Sequence, residues 1–183
     1  MSTTAQVKKF TTLFQWIDQN GDGWLTLGDF EQMAELFVAL ASPDDEENKS
    51  AIKHAFMAWW DLLREDGDKH PDEEVGRKEF IGTMLASVTA PANFDRIIMG
   101  IVNSLMSALD VNRDGVLSED EYVRMYDALG IDPRTSGEAF RRLDRDGDGT
   151  ISHDEFRTAI SEFYLSPDED APGNWLLGSP QNA

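Results

Sequence analysis

The chain has 183 residues, enough for one compact domain or two small lobes, and 40% of them are hydrophobic, so it can build a core. It has no Cys, which excludes a disulfide framework and thiol chemistry. Its net charge of −19 should repel nucleic acid and anionic lipid, and no apolar run approaches the roughly 18–20 residues of a membrane span.

The opening MSTTAQVKKF lacks the apolar core of a secretory signal, and Ser2 rather than Gly follows Met1, so neither export nor myristoylation is expected and a cytoplasmic protein is the plain reading. Val7, Phe10, Leu13, Phe14 and Ile17 then recur at helical spacing and predict a helix over about 4–17. A polar stretch, DQNGDGWLTLGD (Asp18–Asp29), leads into a second helix from Leu27 to about Leu40, carrying Phe30, Met33 and Phe37. SPDDEEN predicts the start of a third, with Ser42 as N-cap, Pro43 in the first turn and acids at the positive helix end. That helix runs through Ile52, Phe56, Trp59, Trp60 and Leu63. The next covers about Lys78–Ala90, with Ile81, Met84, Leu85 and Val88, and Pro91 stops it. Ile97, Ile98, Ile101, Val102, Leu105, Met106 and Leu109 form the broad apolar face that follows. A second polar stretch, DVNRDGVLSEDE (Asp110–Glu121), opens a helix ending at Gly130, and Asp132–Pro133 caps another. The third, DRDGDGTISHDE (Asp144–Glu155), opens the last helix, with Phe156, Ile160, Phe163 and Tyr164.

The three polar stretches share one 12-residue pattern: Asp at position 1, Asn or Asp at 3, Asp at 5, Gly at 6, an apolar residue at 8, Thr or Ser at 9 and an acid at 12. Composition alone produces such a window about once in a hundred thousand, so three in one chain are not solvated turns that happen to be acidic. The pattern is that of an EF-hand calcium loop. A hard divalent cation takes six to eight oxygens at about 2.3–2.6 Å, and a short loop supplies them only by curling around the ion. Side-chain oxygens come from Asp18, Asn20 and Asp22, from Asp110, Asn112 and Asp114, and from Asp144, Asp146 and Asp148. Gly23, Gly115 and Gly149 permit the sharp turn. Trp24, Val116 and Thr150 offer a backbone carbonyl, and Thr26, Ser118 and Ser152 sit where a bridging water is usual. Glu121 and Glu155 can reach back and chelate with both oxygens.

Loop one ends in Asp29, a methylene shorter than Glu, which favours single-oxygen binding and hence Mg2+, whose preferred ligand number is six. Three Ca2+ are expected, with Mg2+ competing at site one. Loop four has four acidic ligand positions against three in each of the others and should bind most tightly. A degenerate unit lies between. Glu79–Phe80 repeats the closing signal and Val75 matches Leu25, which places the loop at Asp68–Glu79. His70 then stands at position 3 and Glu73 at position 6, where positive φ is costly. If the preceding helix ends instead at Trp60–Asp61, the loop has grown to 19 residues. Either way no ion is expected, and Val75 serves as the packing partner of Leu25.

The expected fold is all-α: four helix–loop–helix units in two packed pairs, over 1–90 and 91–164, with the second unit degenerate. The short joint at Thr89–Phe94 predicts that the pairs pack together. The tail, 165–183, carries Trp175, Leu176 and Leu177 in a Pro/Gly setting and is expected to plug a groove between them. This order of active and degenerate loops, with Asp29 and the APGNWLLG tail, resembles the sarcoplasmic calcium-binding proteins, including their bacterial calerythrin branch, along nearly the whole chain. The resemblance implies a compact four-EF-hand fold that binds Ca2+ and Mg2+ and acts as a buffer or transporter.

A sensor regulating a target protein is the alternative, since Met33, Met57, Met84, Met99, Met106 and Met125 could line a target groove, although core filling explains them too. A remoter alternative is a coelenterazine-type photoprotein or luciferin carrier, for which His54 near Trp59 is the one pairing of interest. An enzyme is not expected: there is no Cys nucleophile, phosphate loop or His constellation, and the carboxylates are committed as ligands. Partners are therefore Ca2+ and Mg2+, with no nucleic acid and no membrane, and a monomer is expected.

Overall fold

The computed structural model of the protein describes residues 4–66 and 73–178. Asp68 and His70 of the degenerate loop lie outside the described residues. No described helix is long and apolar enough to cross a membrane.

The first unit is α1 (Thr4–Ile17), β1 (Trp24–Leu25) and α2 (Leu27–Val38). The second is α3 (Glu46–Asp66), β2 (Val75–Gly76) and α4 (Arg77–Thr83), the last prolonged by a π-turn at Met84–Val88. α5 (Pro91–Asn93) and a π-turn at Phe94–Ile98 lead into α6 (Met99–Leu109), which β3 (Val116–Leu117) and α7 (Glu119–Leu129) follow. The last unit is α8 (Ser136–Leu143), β4 (Ile151–Ser152) and α9 (His153–Leu165), and a 3-10 turn at Pro172–Trp175 follows in the tail.

Each pair is joined through its loops by a two-residue antiparallel ribbon. Leu25 faces Val75 in the first pair, and Leu117 faces Ile151 in the second. All four side chains are buried. A single unit cannot cover these residues, so the ribbon and the helices beside it need a partner. The degenerate unit therefore keeps its fold as the partner of loop one.

At α3 one sequence expectation is corrected and one open alternative is decided. Ser42 is not its N-cap. Ser42 to Asp45 form a turn closed by Asp45 N–H to the Ser42 carbonyl (3.0 Å), and Asp45 caps the helix by accepting the Asn48 N–H (3.1 Å). Pro43 suits the second position of such a turn, where its fixed φ is already correct. The helix also does not stop at Trp60–Asp61 but runs to Asp66, so the 19-residue loop does not form. Gly130 ends α7 with φ +66°, and Asp132 caps the 3-10 turn at Pro133–Thr135, as the sequence predicts.

Pro91 breaks the chain between the pairs, with Ala90 extended in front of it. The two pairs nevertheless share one continuous core. Phe30 packs edge-on to Trp59 (5.5 Å) and Phe37 to Phe56 (5.0 Å) within the first pair. Phe10 meets Tyr164 (6.0 Å) across the pairs. Polar ties cross as well: the Trp16 indole N–H donates to the Leu129 carbonyl (3.0 Å), and Asn48 donates to that of Ser104 (3.0 Å). Lys9, buried on α1, donates from Nζ to the carbonyls of Glu162 (3.1 Å) and Ser166 (2.9 Å) at the end of α9. The Glu162 carbonyl also accepts the Ser166 N–H that closes the helix (3.0 Å), while Ser166 lies past the last turn, and a cation suits this negative helix end. Burial lowers the Lys9 pKa, while Asp168 and Glu162 raise it in part.

In the tail, Leu176 is buried and lines the inter-pair cavity together with Leu177. Trp175 lies instead on the second pair, with the Arg142 guanidinium 4.3 Å over its ring and the Tyr126 hydroxyl donating to its carbonyl (3.0 Å).

Candidate metal centres

Each of the three acidic loops lies between the end of one helix and the start of the next, so its first and last ligand positions sit on rigid elements. Asp18, Asp110 and Asp144 follow α1, α6 and α8 directly, and Asp29, Glu121 and Glu155 lie in the first turns of α2, α7 and α9.

The position 1 carboxylates organise the turn. Asp18 accepts the N–H groups of Gly21 (2.9 Å), Asp22 (3.2 Å) and Gly23 (2.9 Å). Asp144 accepts those of Gly147 (2.8 Å), Asp148 (3.1 Å) and Gly149 (3.0 Å), and Asp110 those of Asp114 (3.1 Å) and Gly115 (2.9 Å). Position 6 has φ of +86°, +87° and +88° at Gly23, Gly115 and Gly149, the left-handed geometry for which glycine is required. Asn20, Asn112 and Asp146 at position 3 accept the N–H of position 5. Asp22, Asp114 and Asp148 at position 5 accept the N–H of Trp24, Val116 and Thr150, and hydrogen bonds from Thr150 hold the Asp148 carboxyl below its usual pKa. In loops one and three the Asn amide also donates to the position 5 carboxylate (2.9 and 2.8 Å), which relieves charge between neighbours. Loop four has no amide there, and ligand oxygens of Asp144, Asp146 and Asp148 converge within 4.8 Å of one another.

Position 12 divides the loops. Glu155 bridges both ends of loop four. Its Oε1 accepts the N–H of Arg145 (2.8 Å), and its Oε2 accepts the N–H and hydroxyl of Ser152 (2.8 Å each). Glu121 does the same with Val111 (3.0 Å) and Ser118 (2.9 and 2.8 Å). Burial pushes both carboxyls up, but the hydrogen bonds from Ser118, Val111 and Asn112, and from Ser152, Arg145 and Asp146, outweigh it and leave both below the usual range. Asp29 accepts only from Thr26 (2.8 Å to each donor), and the Gln19 N–H turns to the Ile17 carbonyl instead. The missing methylene leaves the carboxylate short of the loop entrance.

Thr26, Ser118 and Ser152 have a role that sequence reading missed. Each begins a capping box and holds the position 12 acid in place. The signal was present as Ser or Thr three residues ahead of an acid. Position 4 was missed too. It has positive φ in all three loops, at Gly21 (+70°), Gly147 (+72°) and, without glycine, Arg113 (+59°). In the degenerate loop Glu73, at position 6, takes φ +57°, so the chain is left-handed there despite the cost to a residue with a Cβ.

Among the described residues, then, all fifteen predicted ligand positions fall in three separate loops, and the all-oxygen donor set suits a hard divalent cation. The pairing suggested for a luciferin-type cavity does not form: Trp59 lines the inter-pair cavity, but His54 is exposed.

Residues 137–163 match the family described as EF hand domain, and 102–126 match a second EF hand family. Calerythrin from Saccharopolyspora erythraea is 28% identical over 168 residues, spanning 90% of this chain and 95% of its own. A sarcoplasmic calcium-binding protein from Perinereis vancaurica tetradentata is 33% identical over 174 residues, spanning 94% of this chain and 96% of its own. The solved structure of an amphioxus sarcoplasmic calcium-binding protein superposes with a TM-score of 0.71 at 18% identity, over 98% of this chain and 99% of that one. The four-unit fold, the oxygen-lined loops and these likenesses agree: the chain is a calcium-binding EF-hand protein and belongs to the calerythrin and sarcoplasmic calcium-binding protein family.

Proposed function

We propose that the protein is a calcium buffer with three functional sites, at loops one, three and four, and that Mg2+ competes at loop one. The observation that carries the buffer reading is the covered interior. Met33, Met84, Met99, Met106 and Met125 are all buried, and none of the large exposed hydrophobics among the described residues, Val7, Trp24, Leu27, Val111 and Leu165, is a Met. A sensor would instead offer a Met-rich groove to a target helix. The short reach of Asp29 supports mixed use of site one. The ligand sets are the fifteen residues of the three loops, and the protein carries out no catalysis.

The luciferin-carrier reading is disfavoured by space. The apolar cavity between the pairs holds about 60 Å³, whereas pockets for ligands of that size run to about 300–1,000 Å³.

A calorimetric Ca2+ titration with and without millimolar Mg2+, alongside an apolar-surface dye, tests the proposal. Three binding events, Mg2+ competition at one of them and no new dye binding are expected. Dye binding that appears on loading would overturn the buffer reading in favour of a sensor.

A further inference from the structure

Arg145 occupies position 2 of loop four, where loops one and three carry Gln19 and Val111. It therefore places a cation inside the most acidic of the loops. Its guanidinium is drawn outward, with Nη2 2.6 Å from Glu162 Oε2 on α9. The same oxygen accepts the Gly173 N–H of the tail at 2.9 Å. One carboxylate oxygen thus joins the calcium loop to the C-terminal segment.

The tail is seated closely at this point. A Cβ on Gly173 would collide with the Ala159 carbonyl oxygen and stand 2.8 Å from Glu162 Cβ. Glycine is required there by the close approach of two backbones. Beyond it, the Tyr126 bond to the Trp175 carbonyl, the Arg142 stack on the Trp175 ring and the burial of Leu176 keep the segment down.

We propose that the docked tail positions loop four for its ion: through Glu162 it holds the Arg145 guanidinium away from the four ligand carboxylates and so raises the site's affinity for divalent cations. Arg145 stands between Asp144 and Asp146 in the chain, so a guanidinium freed from Glu162 adds its charge beside the ligand carboxylates, where it opposes an incoming cation. The effect is reciprocal, because coupling between two binding equilibria is symmetric. Loading loop four therefore tightens tail docking by the same factor. This inference rests on loop four being a calcium site. Gly173, Glu162 and Arg145 act as positioning residues, since the ion is held by other groups.

The test is a Ca2+ titration of the full chain followed by NMR, with the amides of Gly23, Gly115 and Gly149 reporting each loop. Gly173→Ala prevents seating and is expected to weaken the Gly149 event about fivefold or more while the Gly23 event stays in place. Glu162→Gln keeps the side-chain shape, removes the charge and is expected to act in the same direction, so a folding failure of the glycine variant leaves the question answerable. In an Arg145→Gln background, Gly173→Ala should no longer change site four. Hydrogen exchange at Asn174, Leu176 and Gly178 should slow when wild-type protein is loaded. The proposal is overturned if Gly173→Ala frees the tail amides to exchange without changing the Gly149 event. It is also overturned if the loss is equally large with Arg145→Gln, which would make the tail a plain structural support. No Gly149 response in the wild type would instead overturn the calcium reading of loop four itself.

Discussion

Asp29 and Glu155 occupy the same position in their loops and differ by one methylene, and that difference decides what each carboxylate can span. Glu155 bonds both to Ser152 beside it and to Arg145 at the loop entrance, while Asp29 reaches only Thr26. Asp29→Glu should therefore tighten Ca2+ at loop one by about tenfold or more, since a contact to a charged group is worth at least about 1.5 kcal/mol, and weaken Mg2+ competition. Calorimetry with and without Mg2+ measures both changes, and an unaltered profile would refute the account. Glu73 is the second informative residue. A left-handed L-residue costs about 1–2 kcal/mol, partly offset by the greater unfolded freedom of glycine, so Glu73→Gly should stabilise the apo protein by about 0.5–1 kcal/mol. A denaturant melt checks this, and no fourth binding event should appear. The candidate ligand positions were legible because their chemistry sits inside 12 consecutive positions. The left-handed backbone at Arg113 was not, since nothing in its side chain announces that conformation.

At the scale of elements, periodicity located the helices well and capping less well. SPDD offers three helix-start residues close together, Ser42, Asp44 and Asp45, and the competing turn at Pro43 moves the cap to Asp45. Asp45→Ala should cost about 1 kcal/mol of stability, whereas Ser42→Ala should change it little. Equal effects in thermal melts would contradict the assignment. Lys9 ties the first helix to the end of the last by two hydrogen bonds to backbone carbonyls, one of which, that of Glu162, is shared with the Ser166 N–H. Lys9→Met keeps the stem and removes the cation. It should cost roughly 2 kcal/mol, since bonds to charged groups are stronger than average and the Ser166 carbonyl loses its donor. Sequence periodicity gave Lys9 no special standing, because its partners lie more than 150 residues away.

Over the whole molecule, clustered carboxylates and a shared core work against each other until ions bind. Three Ca2+, each contributing two positive charges, would leave −13 of the −19 net charge. With free Ca2+ at about 100 times Kd, each site should add about 2.7 kcal/mol to the folded state. A thermal melt with and without chelator should show a large upward shift on loading, and an unchanged midpoint would contradict ion-coupled folding. What the sequence determined by itself was the repeated loop, its candidate oxygen ligands, the helices around it and the departure of the second unit from the pattern. All of these follow from spacing within short windows, where ligand geometry and helical period act directly on neighbouring residues. Only the tertiary structure decided how the pairs share one core, how Lys9 fastens the ends of the chain and how Glu162 joins Arg145 to the tail. Those contacts depend on where remote segments come to lie once the apolar faces are buried, and burial does not depend on distance along the chain.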